Sequence, residues 1–217
     1  MRYKAFVFDF DFTLADTGAA IVDCANYALN KLGFPEKDGE TIKRAVGLPL
    51  REMFVEYTGI SDGREEQFTA YFIEKADKIM TANTLLYDDT VTVLSRLKAD
   101  KRHTAIVTSK LHYRIDDALS KFGITGLVDY IVGIDDVKNP KPSPEGLLKA
   151  IEYLSVEKRH TLYIGDSLTD AKTAMAAGVD FAAVTTGTTA AREFSAYPNV
   201  KITASLTGLI RPLAKPS

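Results

Sequence analysis

The feature that most constrains this chain is a repeated alternation between short apolar runs and segments with helical periodicity. Six runs have the length and composition of strands, and several are apolar at successive residues, as is typical where helices cover both faces of a sheet. They are Tyr3–Phe8, Thr104–Val107, Tyr130–Ile134, Thr161–Ile164, Phe181–Val184 and the weaker Val200–Thr203. This alternation predicts parallel βα units. We therefore expect an α/β fold: a Rossmann-like parallel sheet with helices on both faces.

One long segment interrupts the alternation. Residues from about 17 to 83 carry three apolar stripes with helical spacing and no good strand, which indicates a small helical bundle above one end of the sheet. We expect a helical cap domain over residues 16–85 and a sheet domain over 1–15 and 86–217. The linkers should lie near Ala15–Thr17 and Asn83–Tyr87. In the sheet domain, Ser143 and Pro144 predict a helix with Ser143 as N-cap and Pro144 at its first position.

Composition narrows the function class. The 217 residues include 27 basic and 29 acidic side chains, so the formal charge is −2, and this balance argues against a general nucleic-acid or membrane-surface binder. The single cysteine, Cys24, cannot form an internal disulfide, which favours a reducing compartment. Neither a signal peptide nor a long apolar stretch is evident. We expect a soluble, cytoplasmic protein.

Polar and charged residues follow four of the predicted strands, where ligands of open parallel sheets bind. They are Asp9, Asp11 and Thr13; Thr108, Ser109 and Lys110; Lys141; and Asp166, Ser167 and Asp170. Converging carboxylates repel one another, and Mg²⁺ with oxygen ligands would compensate that repulsion. We expect Asp166 to bind the metal and Asp170 to orient it. The alternative is structural, with Asp166 as N-cap of the helix through Ala171–Ala177.

Asp9 and Asp11 are two residues apart, so an extended backbone places both on the same side. Two carboxylates in different environments can divide the work of catalysis. We expect Asp9 to attack phosphorus and form an aspartyl-phosphate, and Asp11 to protonate the leaving alkoxide and then activate water. Thr108 and nearby backbone N–H groups, including that of Ser109, should hold the phosphoryl oxygens, while Lys141 offsets their charge.

Three other cations are weaker candidates. Arg51, beside a Gly-Leu-Pro turn of the insertion, could reach an anionic part of the substrate, although a surface arginine is at least as plausible. For Lys110 and Arg114 the better interpretation is a solvated side chain without a role at the site.

These residues resemble the four motifs of the haloacid dehalogenase superfamily. The matches are FVFDFDFTL, IVTS, the lysine of NPKPSP, and YIGDSLTD, in order over essentially the whole chain. The resemblance implies Mg²⁺ held by the Asp9 carboxylate, the Asp11 backbone carbonyl and Asp166. Within the superfamily the chain looks most like the phosphoglycolate phosphatase branch, which implies a Mg²⁺-dependent phosphatase of a small phosphorylated metabolite. It departs from the family at Phe12, usually Gly, at Ser109, usually Asn, and at residues 88–89, often Pro-Gly.

Other functions stay open at this stage. Dehalogenase relatives lack an acid at the position of Asp11, so the resemblance implies phosphate-ester hydrolysis or a phosphomutase of the β-phosphoglucomutase type. A phospho-aspartate signalling module of the receiver type uses similar residues, but its two leading acids are adjacent and it carries no helical insertion. A catalytically silent scaffold would not require the intact acids. Substrate identity and oligomeric state are not determined by the sequence.

Overall fold

The computed structural model describes residues 2–210, and its centre is a six-stranded parallel sheet. The strand order is β5-β4-β1-β6-β7-β8, so the chain builds outwards from β1 on one side and then on the other. The strands are β1 (Ala5–Phe8), β4 (His103–Val107), β5 (Tyr130–Val132), β6 (Thr161–Gly165), β7 (Asp180–Val184) and β8 (Lys201–Thr203). All six predicted strands are confirmed, with ends shifted by one or two residues.

The two faces of the sheet bury different side chains because successive residues of a strand point in opposite directions. The helices on the two faces are α5 (Thr90–Ala99), α6 (His112–Lys121), α7 (Glu145–Leu154) and α8 (Leu168–Ala177). Phe6 and Phe8 of β1 pack with α5 and α6, whereas Ala5 and Val7 pack with α7 and α8. Helices on both faces were predicted from the apolar runs, and this prediction is confirmed. The short helices α9 (Ala191–Phe194) and α10 (Thr207–Ile210) follow.

One predicted helix start and one structural alternative each differ from the structure by a single residue. Helix α7 begins at Glu145 with Pro144 as N-cap, and Ser143 instead accepts a hydrogen bond from the Glu145 N–H at 3.3 Å. Helix α8 has Ser167, not Asp166, as N-cap, because the Ser167 hydroxyl accepts from the Asp170 N–H. Asp166 is thereby left free of a capping role.

Four helices between β1 and β4 form a bundle with its own core. They are α1 (Gly18–Lys31), α2 (Gly39–Arg44), α3 (Leu50–Thr58) and α4 (Arg64–Asn83). The three predicted stripes lie on α1, α3 and α4, and α2 was not predicted. Their apolar faces meet around Cys24, Phe54 and Phe68, all fully buried. The division into two domains at residues 15 and 86 remains a prediction.

The two predicted linkers lie side by side. Strand β2 (Ala15–Asp16) pairs with β3 (Leu85–Leu86) in a short antiparallel ribbon at the base of the bundle. The Thr90 hydroxyl donates to the Leu14 carbonyl at 2.7 Å, which ties the ribbon to the start of α5. The bundle is therefore joined to the sheet by two paired segments.

Arg114 of α6 also joins the bundle to the sheet. Its guanidinium donates to Asp77 of α4 at 2.7 Å and to the Ile73 carbonyl at 3.3 Å, and its side chain is only 7% exposed. The interpretation of Arg114 as a solvated side chain is therefore wrong. Nothing in one sequence shows that α4 lies over α6, so this partner could not be predicted.

Within residues 2–210, no helix combines the length and apolar character needed to cross a membrane.

Phe54→Ala should lower the free energy of unfolding by about 3–5 kcal/mol, because it leaves a cavity in the core of the bundle. Val55→Ala, one position further along α3, is the matched control, since Val55 is 36% exposed and its truncation should cost about 0.5 kcal/mol or less. Urea unfolding followed by circular dichroism measures both. Equal effects of the two substitutions would contradict the packing described.

Candidate active site

Strand pairing positions the first group of site residues. The Asp9 N–H, directly after β1, donates to the Ile164 carbonyl of β6 at 2.8 Å. The Thr108 N–H, directly after β4, donates to the Val132 carbonyl of β5 at 3.0 Å. Each residue thus continues the ladder of its strand by one bond. The expectation that side chains from several strand ends meet at one edge of the sheet agrees with this geometry.

Lys141 lies at the centre of the cluster and is buried. Its ammonium is 2.7 Å from Oδ1 of Asp170, 2.9 Å from Oδ1 of Asp9 and 3.3 Å from the Tyr163 hydroxyl. Burial alone would lower the pKa of Lys141, but Asp170 and Asp9 outweigh it and hold the pKa well above the usual value. Lys141 is therefore a permanent cation between two carboxylates.

Asp170 is held on both of its oxygens and is fully buried. Oδ1 accepts from Lys141 and from the Tyr163 hydroxyl, the latter at 2.9 Å. Oδ2 accepts from the N–H of Ser167 at 3.1 Å and from its hydroxyl at 2.6 Å. These hydrogen bonds hold the Asp170 carboxylate in place. Asp170 can therefore position the Lys141 ammonium as well as orient a metal. Tyr163, in the interior of β6, was not identified from the sequence because it has the character of a core residue.

Three carboxylates offer a set of oxygens that fits a divalent cation. One oxygen each from Asp9, Asp166 and Asp170 lies within 4.8 Å of the other two, and all three residues are buried. Oδ1 of Asp9 accepts no hydrogen bond, since the nearby Lys141 ammonium is not aligned with it. Burial raises the pKa of Asp9 to about 7 and that of Asp166 well above its usual value. A cation would remove the cost of ionising both.

Two glycines have no side chain and so leave room for two of these carboxylates. A Cβ at Gly187, in the loop after β7, would lie 1.9 Å from Oδ2 of Asp166. A Cβ at Gly165 would lie within 2.4–2.5 Å of three side-chain atoms of Asp170. Gly187 was not identified from the sequence. Its only signal is a glycine in the loop after a predicted strand, and such glycines are common.

Asp11 is held away from the other carboxylates by two partners. Its Oδ1 accepts from the Thr17 hydroxyl at 2.6 Å, and Lys110 lies 2.8 Å from Oδ1 and 3.0 Å from Oδ2. The Lys110 and Asp11 side chains are only 7% and 13% exposed. The interpretation of Lys110 as a solvated lysine is therefore wrong. Asp11 thus connects the end of β1 to the loop after β4 through Lys110, and to the N-cap of α1 through Thr17.

The remaining predicted site residues lie towards the bundle. The Ser109 hydroxyl donates to the Gly47 carbonyl at 2.8 Å, so its side chain contacts the loop between α2 and α3. Arg51 at the start of α3 pairs with Glu66 at 3.2 Å and is 66% exposed. Of these two residues, only Ser109 is tied to the sheet edge. Arg51 lies at the rim.

Phe12 replaces the usual glycine without opening the site. Its backbone adopts the left-handed region, with φ of 58°, which explains why glycine suits this position. The side chain is buried, and it packs so closely on Gly18 that a Cβ there would lie 3.0 Å from the ring. The ring therefore packs on the first turn of α1 and not into the carboxylate cluster.

The chain belongs to the family of haloacid dehalogenase-like hydrolases, whose sequence profile matches residues 6–184. It is similar to the pyrophosphatase PpaX of Bacillus velezensis, with 30% identity over 90% of this chain and 89% of the relative. It is also similar to a phosphoglycolate phosphatase of Rhodobacter capsulatus, with 32% identity over 84% of each chain.

A crystal structure of a Bacteroides fragilis protein assigned to the same hydrolases superimposes with a TM-score of 0.94. The two sequences are 42% identical, and the match covers 96% of this chain and 100% of the other. The superfamily resemblance and the α/β fold expected from the sequence are therefore confirmed.

In a buffer with EDTA, the protein should be less stable at pH 8 than at pH 5.5. The pKa of Asp9 is about 7 in the folded chain and near 3.8 in the unfolded chain, so the folded state binds the proton more tightly. Stability should fall by about 1.4 kcal/mol per pH unit as the pH rises towards 7. Thermal unfolding across this range measures the effect.

Asp9→Asn is the control, because asparagine cannot ionise and should reduce this pH dependence to the part that Asp166 contributes. An unchanged pH profile in the variant would show that Asp9 does not ionise in this window.

Proposed function

We propose that this protein is a Mg²⁺-dependent phosphatase that hydrolyses a small phosphorylated metabolite through a phosphoryl group carried on Asp9. The observation that carries the proposal is the buried group of Asp9, Lys141, Asp166 and Asp170 at one edge of the sheet. Phosphoryl transfer needs positioning and charge stabilisation, and this group offers both. Relatives that carry phosphatase names support the reaction class.

In the proposed mechanism Asp9 is the nucleophile. One Asp9 oxygen attacks phosphorus and displaces the alkoxide, and water later hydrolyses the aspartyl-phosphate. Asp9, Asp166 and the Asp11 backbone carbonyl would hold Mg²⁺, which supplies positive charge for the phosphoryl oxygens. Lys141 opposes the rise in the pKa of Asp9 that burial causes, and it offsets the incoming charge. Thr108 and the backbone N–H groups after β4 complete the phosphoryl site.

Asp11 is the proposed general acid and base. It protonates the departing oxygen in the first step and removes a proton from water in the second. Asp11 lines the space between the sheet edge and the helical bundle, so the substrate oxygen would approach it from that side. The bundle would then exclude water from the reacting phosphorus, as a lid does.

The names of the relatives suggest different substrates, phosphoglycolate and pyrophosphate. Phosphoglycolate is the substrate that the sequence resemblance implies for this chain, and a panel of phosphorylated metabolites decides between phosphoglycolate and pyrophosphate.

A phosphomutase would share the same core, so phosphate release must be compared with isomer formation from a sugar phosphate. Family membership argues against a receiver-type signalling module. The expected compartment is the cytoplasm.

Asp9→Asn should abolish turnover of p-nitrophenyl phosphate with Mg²⁺, because the amide cannot attack phosphorus. The wild-type protein should also lose activity in EDTA and regain it when Mg²⁺ is restored. Asp23→Asn, an exposed carboxylate on α1, is the matched control and should retain activity. Circular dichroism verifies that each variant is folded. Wild-type rates in folded Asp9→Asn would refute the nucleophile assignment.

Gly187→Ala should raise the Mg²⁺ concentration needed for half-maximal activity by about 10–100-fold, the usual effect of disturbing a residue that supports a metal ligand. The added Cβ would displace the Asp166 carboxylate. Gly126→Ala is the matched control, since a Cβ at Gly126 meets nothing within 4 Å. If both variants need the same Mg²⁺ concentration as the wild type, Asp166 does not bind the metal.

A further inference from the structure

A cavity of about 220 Å³ lies between the helical bundle and the sheet, beside Asp11. Its walls come from α1, α3, α4 and the loop between α2 and α3 on one side, and from residues 109–111, Arg114 and Ile134 on the other. Asp9, Lys141 and Asp166 do not line it. Asp11 is therefore the one proposed catalytic residue that faces this space.

The position of Asp11 defines what the cavity would hold. A general acid lies next to the oxygen that it protonates, and here that oxygen belongs to the departing alcohol. With phosphorus at Asp9, an alcohol whose oxygen contacts Asp11 would extend into the cavity. The lining of the cavity would then select the leaving group.

Most of the lining is apolar. Side chains of this kind surround the space from the bundle and from the sheet edge, and they include Ile21, Leu48, Met53, Phe72, Ile73 and Met80. Only six lining residues carry a polar side chain. Burial of apolar surface is thus the main favourable interaction that this cavity can offer.

The three cations in the lining are already paired with carboxylates. Each pair is a close contact: Lys110 with Asp11 at 2.8 Å, Arg114 with Asp77 at 2.7 Å and Arg51 with Glu66 at 3.2 Å. To be recognised inside the cavity, a carboxylate or second phosphate on the substrate would have to compete with Asp11 or Asp77 for the buried cations, since Arg51 and Glu66 lie at the rim and are 66% and 55% exposed. Such a group would otherwise be desolvated without a partner, which is costly.

The uncharged polar side chains of the lining also have partners. The Thr69 hydroxyl donates to the Glu65 carbonyl at 2.8 Å, within α4. The Ser109 hydroxyl donates to the Gly47 carbonyl at 2.8 Å. Neither hydroxyl has its proton free for a substrate. The cavity is therefore built to take apolar groups.

We propose, resting on the phosphatase function above, that the preferred substrate is a phosphate monoester of an alcohol with an apolar chain or a single ring. An apolar cavity of about 150 Å³ holds benzene, so the larger space here fits one ring or an aliphatic chain of about six carbons. Phosphoglycolate and pyrophosphate carry an anionic group where this cavity offers hydrocarbon. The proposal thus refines the substrate class of the same site.

A series of n-alkyl phosphates from ethyl to hexyl, with benzyl phosphate, tests the proposal under saturating Mg²⁺. The value of kcat/KM should rise about fourfold for each added methylene until the cavity is filled, because each buried methylene contributes a constant transfer free energy. Hexyl and benzyl phosphate should exceed phosphoglycolate and pyrophosphate at least tenfold. A flat series, or a preference for either anionic substrate, would overturn the inference while leaving the phosphatase function intact.

Leu48→Arg provides the complementary variant, since it places a cation in the lining at a half-buried loop position. It should lower kcat/KM for hexyl phosphate at least tenfold and raise the relative rate with phosphoglycolate. Val55→Arg adds the same charge on the surface of α3, outside the cavity, and should change neither substrate. Equal effects of both variants would contradict the assignment of the cavity.

Binding without turnover gives a separate readout. In isothermal titration calorimetry with Mg²⁺, hexylphosphonate should bind at least tenfold more tightly than 3-phosphonopropionate, which ends in a carboxylate. Tighter binding of the carboxylate compound would overturn the inference. No turnover of any ester would refute the proposed function instead, so the two failures are distinguishable.

Discussion

The contact of Lys141 with Asp9 and Asp170 is the interaction on which the site depends. Three carboxylates and one ammonium are buried together, and a buried charge without a partner is strongly destabilising. Lys141 neutralises part of this charge through contacts of 2.7 and 2.9 Å, and Asp170 in turn fixes the ammonium. The excess of negative charge that remains at the edge of the sheet suits a bound cation.

The fold produces this cluster from positions far apart in the chain. Because β1 lies between β4 and β6, the residues after these three strands converge on one edge. Lys141 enters from the loop before α7, and Gly165 and Gly187 leave room for the carboxylates of Asp170 and Asp166. The core of the sheet and the charged cluster are therefore consequences of the same strand order.

The helical bundle and the sheet contribute different side chains to the region of the site. The sheet edge carries the groups that suit phosphoryl chemistry, whereas the bundle closes the space beside Asp11 with apolar side chains. The cations at this boundary are engaged in ion pairs, with Lys110 holding Asp11 and Arg114 holding α4. In the proposed function, reaction type and leaving-group preference would thus come from different parts of the chain.

The sequence by itself determined the six strands, the helical insertion and the residue types at the strand ends. Apolar runs and the turn residues that bound them are local properties of the sequence, and parallel strands must place their carboxyl ends on one edge of the sheet. Only the tertiary structure decided which partner each charge has. Lys110 and Arg114 pair with Asp11 and Asp77 because elements distant in sequence are packed together. No periodicity within a single chain encodes such distances.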